Sequence, residues 1–246
     1  MNAIILAAGM GNRLSPITES CPKPLIKINS QPIIERQIVL LKESGINDIH
    51  IVVGHLKESY LYLIKKFGVH LIYNNRFRDI NNIYSVYLAR ELLSDSLIIE
   101  GDLYLTRNIF DTCFEKSFYF TGKKSNFIEE WILEFNADNM LTDMIKPKEL
   151  KSVEIYKKGG AFVLTGISYW GDSDSRKIRY YLEEVISAVL EEPDSVYKSF
   201  YWDEIVMRNL DSLDVYVKKI NRDDWFEIDS LRDIHTLNRF LKKVSA

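Results

Sequence analysis

Two patterns of hydrophobic residues alternate along the first half of the chain. Short, uninterrupted apolar runs are typical of strands buried on both faces, and apolar positions three or four residues apart are typical of amphipathic helices. The runs predict strands at residues 3–7, 48–54, 69–73 and 97–102. The helical spacing predicts helices at residues 32–45, 56–67 and 81–93. Strands and helices in this alternation predict a parallel sheet with helices on both faces.

The second half of the chain has a different pattern, which begins with an aromatic-rich stretch at residues 117–141. That stretch predicts antiparallel strands. Further strands are predicted at residues 161–169, 213–217 and 225–229, and helices at residues 174–190 and 230–244. Because no repeat, low-complexity tract or Pro/Gly linker interrupts the sequence, we predict one α/β domain over residues 1–246. Its sheet is doubly wound and mostly parallel, with a small antiparallel, aromatic-rich insertion.

Composition narrows the class of protein. The chain has 246 residues, of which 46% are hydrophobic and 27% are charged, and this is enough for one sizeable core. A net charge of −3 provides no field that would attract nucleic acid or an anionic membrane. Cys21 and Cys113 stand alone, as expected in a reducing compartment, and no apolar run reaches the roughly 18 residues of a membrane span. We therefore expect a cytoplasmic protein, and an oligomer is compatible with the sequence.

The loop after the first predicted strand carries the first chemical signal. Ligands of open parallel sheets bind at the carboxyl ends of strands, and Gly9 and Gly11 allow backbone N–H groups to approach a phosphate closely. Arg13 adds a forked donor for phosphate oxygens, and Lys23, between two prolines, adds a point charge on a stiffened backbone. The two glycines alone would fit an ordinary tight turn equally well. Together with the cations they predict a polyphosphate site.

The two commonest phosphate motifs are excluded. A dinucleotide-binding loop needs a third glycine where Leu14 stands, and a P-loop needs Gly-Lys-Ser/Thr, which is absent. The whole string from Leu6 to Leu14, followed by Pro22-Lys23-Pro24-Leu25, resembles the signature of the nucleotidyltransferases that make sugar nucleotides and related activated alcohols.

The resemblance implies a Rossmann-like nucleotidyltransferase fold and an activity. Members of this family bind a nucleoside triphosphate with this loop and transfer the nucleotidyl group to a phosphate, releasing pyrophosphate. By motif match, Arg13 and Lys23 are the catalytic residues that contact phosphates. Near the loop and the third strand, amides and a hydroxyl can also bind the base, although such residues are often caps or turns. The predicted nucleotide-binding residues are Leu6, Ala7, Ala8, Gly9, Met10, Gly11, Asn12, Arg13, Asn75, Asn81, Ser85 and Gly101.

Two aspartates at the ends of predicted strands are candidate magnesium ligands. Mg²⁺ is held by one or two carboxylates together with substrate phosphates, and it neutralises charge in phosphoryl chemistry. Asp102 and Asp229 fit this role, and in the resembled family a strand-end aspartate and a late aspartate bind the catalytic metal together. Glu227 shares a strand face with Asp229 and either assists the metal or faces the substrate. Each acid alone would also fit a helix cap or a turn.

A narrower resemblance covers nearly the whole chain. A series of short strings occurs in an order similar to that of bacterial phosphocholine cytidylyltransferases, with Phe226 where a tyrosine is expected. The strings are Asn74-Asn75, Asn81-Asn82-Ile83-Tyr84-Ser85, Glu130-Trp131, Gly166-Ile167-Ser168-Tyr169-Trp170, Tyr201-Trp202-Asp203 and Phe226-Glu227-Ile228-Asp229. This resemblance implies Mg²⁺-dependent transfer of CMP from CTP to phosphocholine, giving CDP-choline and pyrophosphate. The preference for CTP over UTP rests on the resemblance alone.

Aromatic residues support this acceptor physically. A quaternary ammonium is best held by aromatic faces beside a carboxylate, although any one aromatic residue here would equally fit core or lid packing. Trp131 offers one wall, and Tyr201 and Asp203 share a face if their segment is extended, which leaves Trp202 on the other side. The predicted acceptor-binding residues are Lys23, Trp131, Tyr201, Asp203 and Glu227.

Two alternatives remain open at this stage. The first is the same chemistry on phosphoethanolamine, 2-aminoethylphosphonate or a sugar 1-phosphate. A sugar site would need polar side chains in place of aromatic ones, whereas a primary ammonium could use the same acids. The second is a non-catalytic nucleotide-sensing domain, which would be expected to lack the motif lysine or a metal-binding acid.

Overall fold

A computed structural model describes residues 1–111, 114–125, 130–146, 159–192 and 194–244. Cys113 and residues 126–129 of the predicted antiparallel stretch lie outside the described residues. The strands are β1 (Asn2–Ala7), β2 (Lys27–Ile28), β3 (Gln31–Pro32), β4 (Ile49–Val53), β5 (His70–Tyr73), β6 (Ser96–Glu100), β7 (Leu103–Leu105), β8 (Ser117–Lys124), β9 (Ile132–Phe135), β10 (Leu141–Ile145), β11 (Ala161–Trp170), β12 (Val215–Ile220) and β13 (Trp225–Glu227). The helices are α1 (Ile33–Glu43), α2 (Leu61–Phe67), α3 (Ile83–Leu88), α4 (Asp172–Glu191), α5 (Asp203–Arg208) and α6 (Leu231–Val244).

A parallel half-sheet confirms the prediction made from the apolar runs. β1 lies between β4 and β6 and is parallel to both, and β5 extends the sheet beyond β4. Leu6 of β1 is opposite Val52 of β4 and Glu100 of β6. The carboxyl ends of these strands therefore meet at one edge of the sheet. At this edge the glycine loop follows β1, and Asp102 follows β6.

The sheet is covered on both faces because side chains alternate along each buried strand. Ile5 of β1 packs in a cluster that contains Ile38 of α1. Its neighbour Ile4 packs in a second cluster on the opposite face, which contains residues of α3, α4 and α5. This is the doubly wound arrangement that the alternation of elements predicts. No helix of the described residues has the length and apolar character needed to cross a membrane.

Antiparallel strands extend the other side of the sheet. β11 pairs with β6 through residues 167–170 and with β8 on its other side, both antiparallel. The first half of β11 runs past the carboxyl end of β6, where Val163 pairs with Ile132 of β9. β9 and β10 consequently form a hairpin beyond the edge of the sheet at which the parallel strands end. β12 pairs with β8 in parallel, a long-range pairing that the aromatic pattern did not predict.

Helix bounds depart from the predictions mainly at the start of α2 and at the end of α3. The chain before α2 forms a 3₁₀ turn at Lys57–Tyr60, and α3 ends early and continues as a 3₁₀ turn at Arg90–Leu92. The end of α2 is as expected, because Gly68 adopts φ +69°, a left-handed conformation that glycine accepts without strain. α4 and α6 agree with their predicted bounds within two residues.

Gly122 of β8 gives a direct test of this packing. A β-carbon there would fall well inside van der Waals contact with the ring of Trp225, which is almost fully buried. We expect Gly122→Ala to lower the free energy of unfolding by about 2–3 kcal/mol, measured by urea denaturation. Gly171→Ala is the control, since its β-carbon would lie 3.7 Å from Ser117 Oγ, an ordinary contact. Equal stability of the two variants would contradict this account.

Candidate active site

The glycine loop opens a cleft at the carboxyl end of β1. Gly11 has φ +66°, and a β-carbon there would lie 2.9 Å from Thr18 Cγ2, so only glycine fits without a shift. Thr18 Oγ1 donates a hydrogen bond to the Gly11 carbonyl oxygen at 3.0 Å and holds the loop in this shape. A β-carbon at Gly9 would meet no non-neighbouring atom within 4 Å, so the loop backbone is accessible from the cleft.

Three cavities with shared lining residues make up the site, with volumes of about 410, 190 and 610 Å³. The first lies over the glycine loop, the second beside α3 and the third under the β9–β10 hairpin. All the predicted nucleotide-binding residues except Asn75 and Gly101 line the first or the second cavity. All the predicted acceptor-binding residues and both predicted metal ligands line the third.

Asn75 lies outside the three cavities, and its role as a nucleotide-binding residue stays a prediction. Its side chain is exposed and lines none of the three cavities, whereas its neighbour Asn74 is buried and lines the second. Asn74 Nδ2 donates to Ser85 Oγ at 2.9 Å, and Asn74 Oδ1 accepts from the Arg76 N–H at 2.8 Å. The turn after β5 therefore directs the first asparagine inward. Sequence spacing could not decide between two adjacent asparagines.

Gly101 also lies outside the cavity linings, but it has a structural role beside them. A β-carbon there would come within 2.9 Å of the Leu6 carbonyl oxygen and 3.1 Å of Pro24 Cγ. The missing side chain lets the turn after β6 pack against β1 and the Pro22–Pro24 segment. Asp102, the next residue, is thereby brought beside Lys23.

The amides of the second cavity already have partners within the protein. Asn81 Nδ2 donates to the Ser199 carbonyl oxygen at 3.0 Å. Asn82 Nδ2 donates to Glu100 Oε1 at 3.0 Å, and Asn82 Oδ1 accepts from the Trp202 N–H at 2.8 Å. Ser85 differs, because its Oγ accepts from Asn74 and its O–H has no acceptor among the described residues. That O–H is therefore available to a ligand.

The acids and the cations meet at the junction of the first and third cavities. β7 and β13 form an antiparallel ribbon, and the Ile228 N–H donates to the Asp102 carbonyl oxygen at 3.2 Å. This pairing brings Asp102 and Asp229 together from distant parts of the chain. Lys23 Nζ lies 2.5 Å from a carboxylate oxygen of each, and Arg13 Nη1 lies 2.9 Å from Asp229 Oδ2.

The carboxylates also form a group that fits a divalent cation. Oxygens of Asp102, Glu227 and Asp229 all lie within 4.8 Å of one another. Carboxylates are the ligands that Mg²⁺ takes from proteins, usually together with substrate phosphates. Burial, assisted by the charges of Asp102 and Asp229, raises the pKa of Glu227 to about 8. Burial alone would lower the pKa of Lys23, but the two aspartates raise it, so its ammonium stays charged.

Glu100 is a site residue that the sequence analysis did not select. It is the last residue of β6 and lines all three cavities. Burial, together with the charges of Asp102 and Asp203, raises the pKa of its carboxyl group well above the usual range. Gly166, at φ +76°, makes room for it, because a β-carbon there would lie 2.9 Å from Glu100 Cγ. Its position two residues before Asp102 was the signal in the sequence.

Two aromatic side chains line the third cavity. Trp131 and Tyr201 pack edge to face, with ring centroids 6.1 Å apart at an angle of 75°. The Leu164 N–H donates to the Trp131 carbonyl oxygen at 2.9 Å and anchors this wall to β11. Tyr201 is 47% exposed, as suits a residue at the rim of a site.

The segment around Asp203 is not extended, because α5 begins at that residue. Tyr201 and Asp203 nevertheless both line the third cavity, while Trp202 packs in the core against Trp170. Tyr119 donates its phenolic hydrogen to Asp203 Oδ1 at 3.0 Å. Burial raises the pKa of Asp203 to about 7.

Comparison with known proteins identifies the family. The sequence model described as nucleotidyl transferase matches residues 2–116. The chain is 39% identical over 242 residues to the choline-phosphate cytidylyltransferase of Streptococcus pneumoniae, covering 98% of this chain and 99% of that protein. The chain belongs to the nucleotidyl transferase family.

Other family members extend this comparison. The choline-phosphate cytidylyltransferase of Haemophilus influenzae is 38% identical over 236 residues, which are 96% of this chain and 95% of that protein. The 2-aminoethylphosphonate cytidylyltransferase of Lancefieldella rimae is 30% identical over 238 residues, which are 95% of this chain and 90% of that protein. The solved structure of the CTP:phosphocholine cytidylyltransferase from Streptococcus pneumoniae superimposes with a TM-score of 0.88 over 98% of both chains. The predicted nucleotidyltransferase fold is confirmed.

The raised pKa of Asp203 makes stability depend on pH. The native carboxyl group keeps its proton up to about pH 7, whereas the unfolded one loses it near its ordinary pKa of about 4. Wild-type stability therefore falls as the pH rises between these values. We expect Asp203→Asn to be more stable relative to wild type at pH 8 than at pH 5, measured by urea denaturation. The exposed control Asp211→Asn should show no such change, and a difference at Asp203 that is independent of pH would refute the prediction.

Proposed function

We propose that this protein is a Mg²⁺-dependent cytidylyltransferase that transfers CMP from CTP to phosphocholine, producing CDP-choline and pyrophosphate. One observation carries the proposal. The first cavity has the phosphate loop, the third has Trp131, Tyr201 and Asp203, and Lys23, Asp102 and Asp229 line both, so the two cavities form a continuous site. The relatives named for choline phosphate are more similar to this chain than the relative named for 2-aminoethylphosphonate.

The nucleotide would lie with its phosphates over the glycine loop. Backbone N–H groups of the loop and the guanidinium of Arg13 bind phosphate oxygens there. Lys23 is paired with Asp102 and Asp229, and Arg13 is paired with Asp229. Phosphates entering the site offer both cations a second set of anionic partners.

Asp102, Asp229 and Glu227 would hold the Mg²⁺. The ion supplies charge neutralisation on the phosphates while pyrophosphate leaves. Lys23 orients the acceptor phosphate and steadies the charge that develops around the α-phosphorus. An oxygen of the acceptor phosphate attacks that phosphorus in line, and the bond to pyrophosphate breaks, so no covalent enzyme intermediate is needed. Arg13 neutralises the departing pyrophosphate.

The acceptor's trimethylammonium group fits the aromatic end of the site. The faces of Trp131 and Tyr201 attract a cation through the ring quadrupole. The buried carboxyl group of Asp203 adds a negative charge once a bound cation favours its ionised form. The carboxylate of Glu130, the residue before Trp131, is paired with Lys124 at 2.6 Å.

Two features weigh against the alternatives. A sugar 1-phosphate would need polar groups where Trp131 and Tyr201 stand. A primary amine such as 2-aminoethylphosphonate needs fewer aromatic faces than phosphocholine does. It remains the second candidate acceptor, because one relative is named for it. A sensing domain without catalysis is disfavoured because Lys23 and all three carboxylates are in place. The proposed partners are small molecules, and a cytoplasmic location stays a prediction.

Pyrophosphate release tests the proposal directly. With Mg²⁺, we expect release with CTP and phosphocholine, and little release with other triphosphates or with phosphoethanolamine, 2-aminoethylphosphonate or glucose 1-phosphate. Lys23→Ala and Asp102→Ala should each lower kcat by about a hundredfold or more while circular dichroism shows a folded protein. Lys27→Ala, at an exposed position, is the control. Preference for a primary amine would contradict phosphocholine as the acceptor. Full activity of both site variants would contradict the mechanism.

Ser85 makes the choice of base testable. Its free O–H donates to an acceptor, and N3 of cytosine is an acceptor whereas N3 of uracil carries a hydrogen. We expect Ser85→Ala to lower the ratio of kcat/KM for CTP over UTP by about five- to tenfold, the usual contribution of one hydrogen bond. Asn75→Ala should leave the ratio unchanged, because Asn75 is exposed and outside the cavities. A ratio that moves only in the Asn75 variant would show that the base binds elsewhere.

A further inference from the structure

Helix α1 contacts the turn that carries Asp102 through one fully buried side chain. Gln37 has no exposed surface, and its Nε2 donates to the carbonyl oxygens of Glu100 at 2.9 Å and Leu103 at 2.8 Å. These two carbonyl groups flank Gly101 and Asp102. The amide of Gln37 therefore donates two hydrogen bonds to one short turn. The acceptors are the residue before Gly101 and the residue after Asp102.

The orientation of this amide is determined by its partners. Both partners are carbonyl oxygens, so only the NH₂ end of the Gln37 side chain can face them. The other end, Oε1, is buried and has no hydrogen-bond partner among the described residues. An unpaired buried carbonyl oxygen destabilises a fold and offsets part of what the two hydrogen bonds of Nε2 contribute. Stability alone therefore does not explain the glutamine, whose two hydrogen bonds fix the geometry of the turn.

Other contacts hold the turn from different directions. The Gly101 N–H donates to the Leu6 carbonyl oxygen at 2.9 Å, and the Asp102 carbonyl oxygen accepts from the Ile228 N–H. Within the described residues, Gln37 is the one side chain that donates to the backbone of residues 100–103. It braces this backbone from the α1 side, while the Asp102 side chain contacts Lys23.

We propose that Gln37 is a positioning residue that sets the direction of the Asp102 carboxylate. It touches no cavity, and it acts through the backbone on a group that would hold the metal. This inference rests on the proposed function, because it gives Asp102 a role in cation binding and transfer. Groups that orient metal ligands in this way commonly change metal affinity or activity by about ten- to a hundredfold when removed.

Arg36, the preceding residue of α1, provides a matched control. Its guanidinium donates to the carbonyl oxygens of Leu105 and Thr106, the latter at 2.7 Å. It therefore braces the same ribbon from the same helix, beyond the turn that holds Asp102. Arg36→Met removes side-chain donors to this ribbon but leaves the backbone around Asp102 supported.

The experiment compares Gln37→Met and Gln37→Leu with Arg36→Met. It measures kcat, KM for CTP, the affinity for Mn²⁺ by electron paramagnetic resonance without nucleotide, and the Tm. Both Gln37 variants should lose about tenfold or more in kcat and in Mn²⁺ affinity, with KM for CTP nearly unchanged and the Tm lowered no more than in Arg36→Met, because both changes remove donors to backbone carbonyl oxygens. Arg36→Met should lower the Tm and keep kcat and Mn²⁺ affinity.

The inference is overturned if both Gln37 variants keep kcat and Mn²⁺ affinity within twofold of wild type. It is also overturned if both variants lose folding, because Gln37 would then be needed for stability. A wild type without transferase activity would refute the proposed function instead. In that case a selective loss of Mn²⁺ affinity in the Gln37 variants would still support the positioning of Asp102.

Discussion

The contact on which this site depends is the ammonium of Lys23 between the carboxylates of Asp102 and Asp229. Two carboxylates at such short range, with Glu227 close by, repel one another strongly when partly buried. Their approach is tolerable only with a cation between them. The Lys23 segment, the turn after β6 and the β7–β13 ribbon all serve to bring these charges to one point.

Arg13 and Lys23 balance the charges of the two aspartates. The pairing matters because an isolated buried charge would be costly. A divalent cation and a polyphosphate together can replace the partners in these ion pairs. The cation would bind the carboxylates, and the phosphates would bind the basic groups. Either ligand alone would leave part of the charge unpaired, which favours their binding as a complex.

The two substrates would meet where the parallel and antiparallel parts of the same sheet join. The nucleotide end is built on the carboxyl ends of the parallel strands β1 and β6, with short loops of defined shape. The acceptor end is built on β11, which runs beyond β6 and supports the β9–β10 hairpin that carries Trp131. Gly166 allows β11 to pass Glu100 at this junction. The antiparallel strands can therefore shape the acceptor site without changing the phosphate loop.

Local pattern in the sequence determined the buried strands, the glycine loop, Lys23 and the strand-end aspartates, because periodicity and motif spacing are short-range properties. The tertiary structure alone decided which features of distant segments meet. It placed Asn74 inward in place of Asn75, paired β12 with β8 in parallel, began α5 at Asp203 and brought Gln37 against the turn that carries Asp102. Such contacts depend on long-range pairing and on which face a turn presents, and neither is encoded in the spacing of residues along the chain.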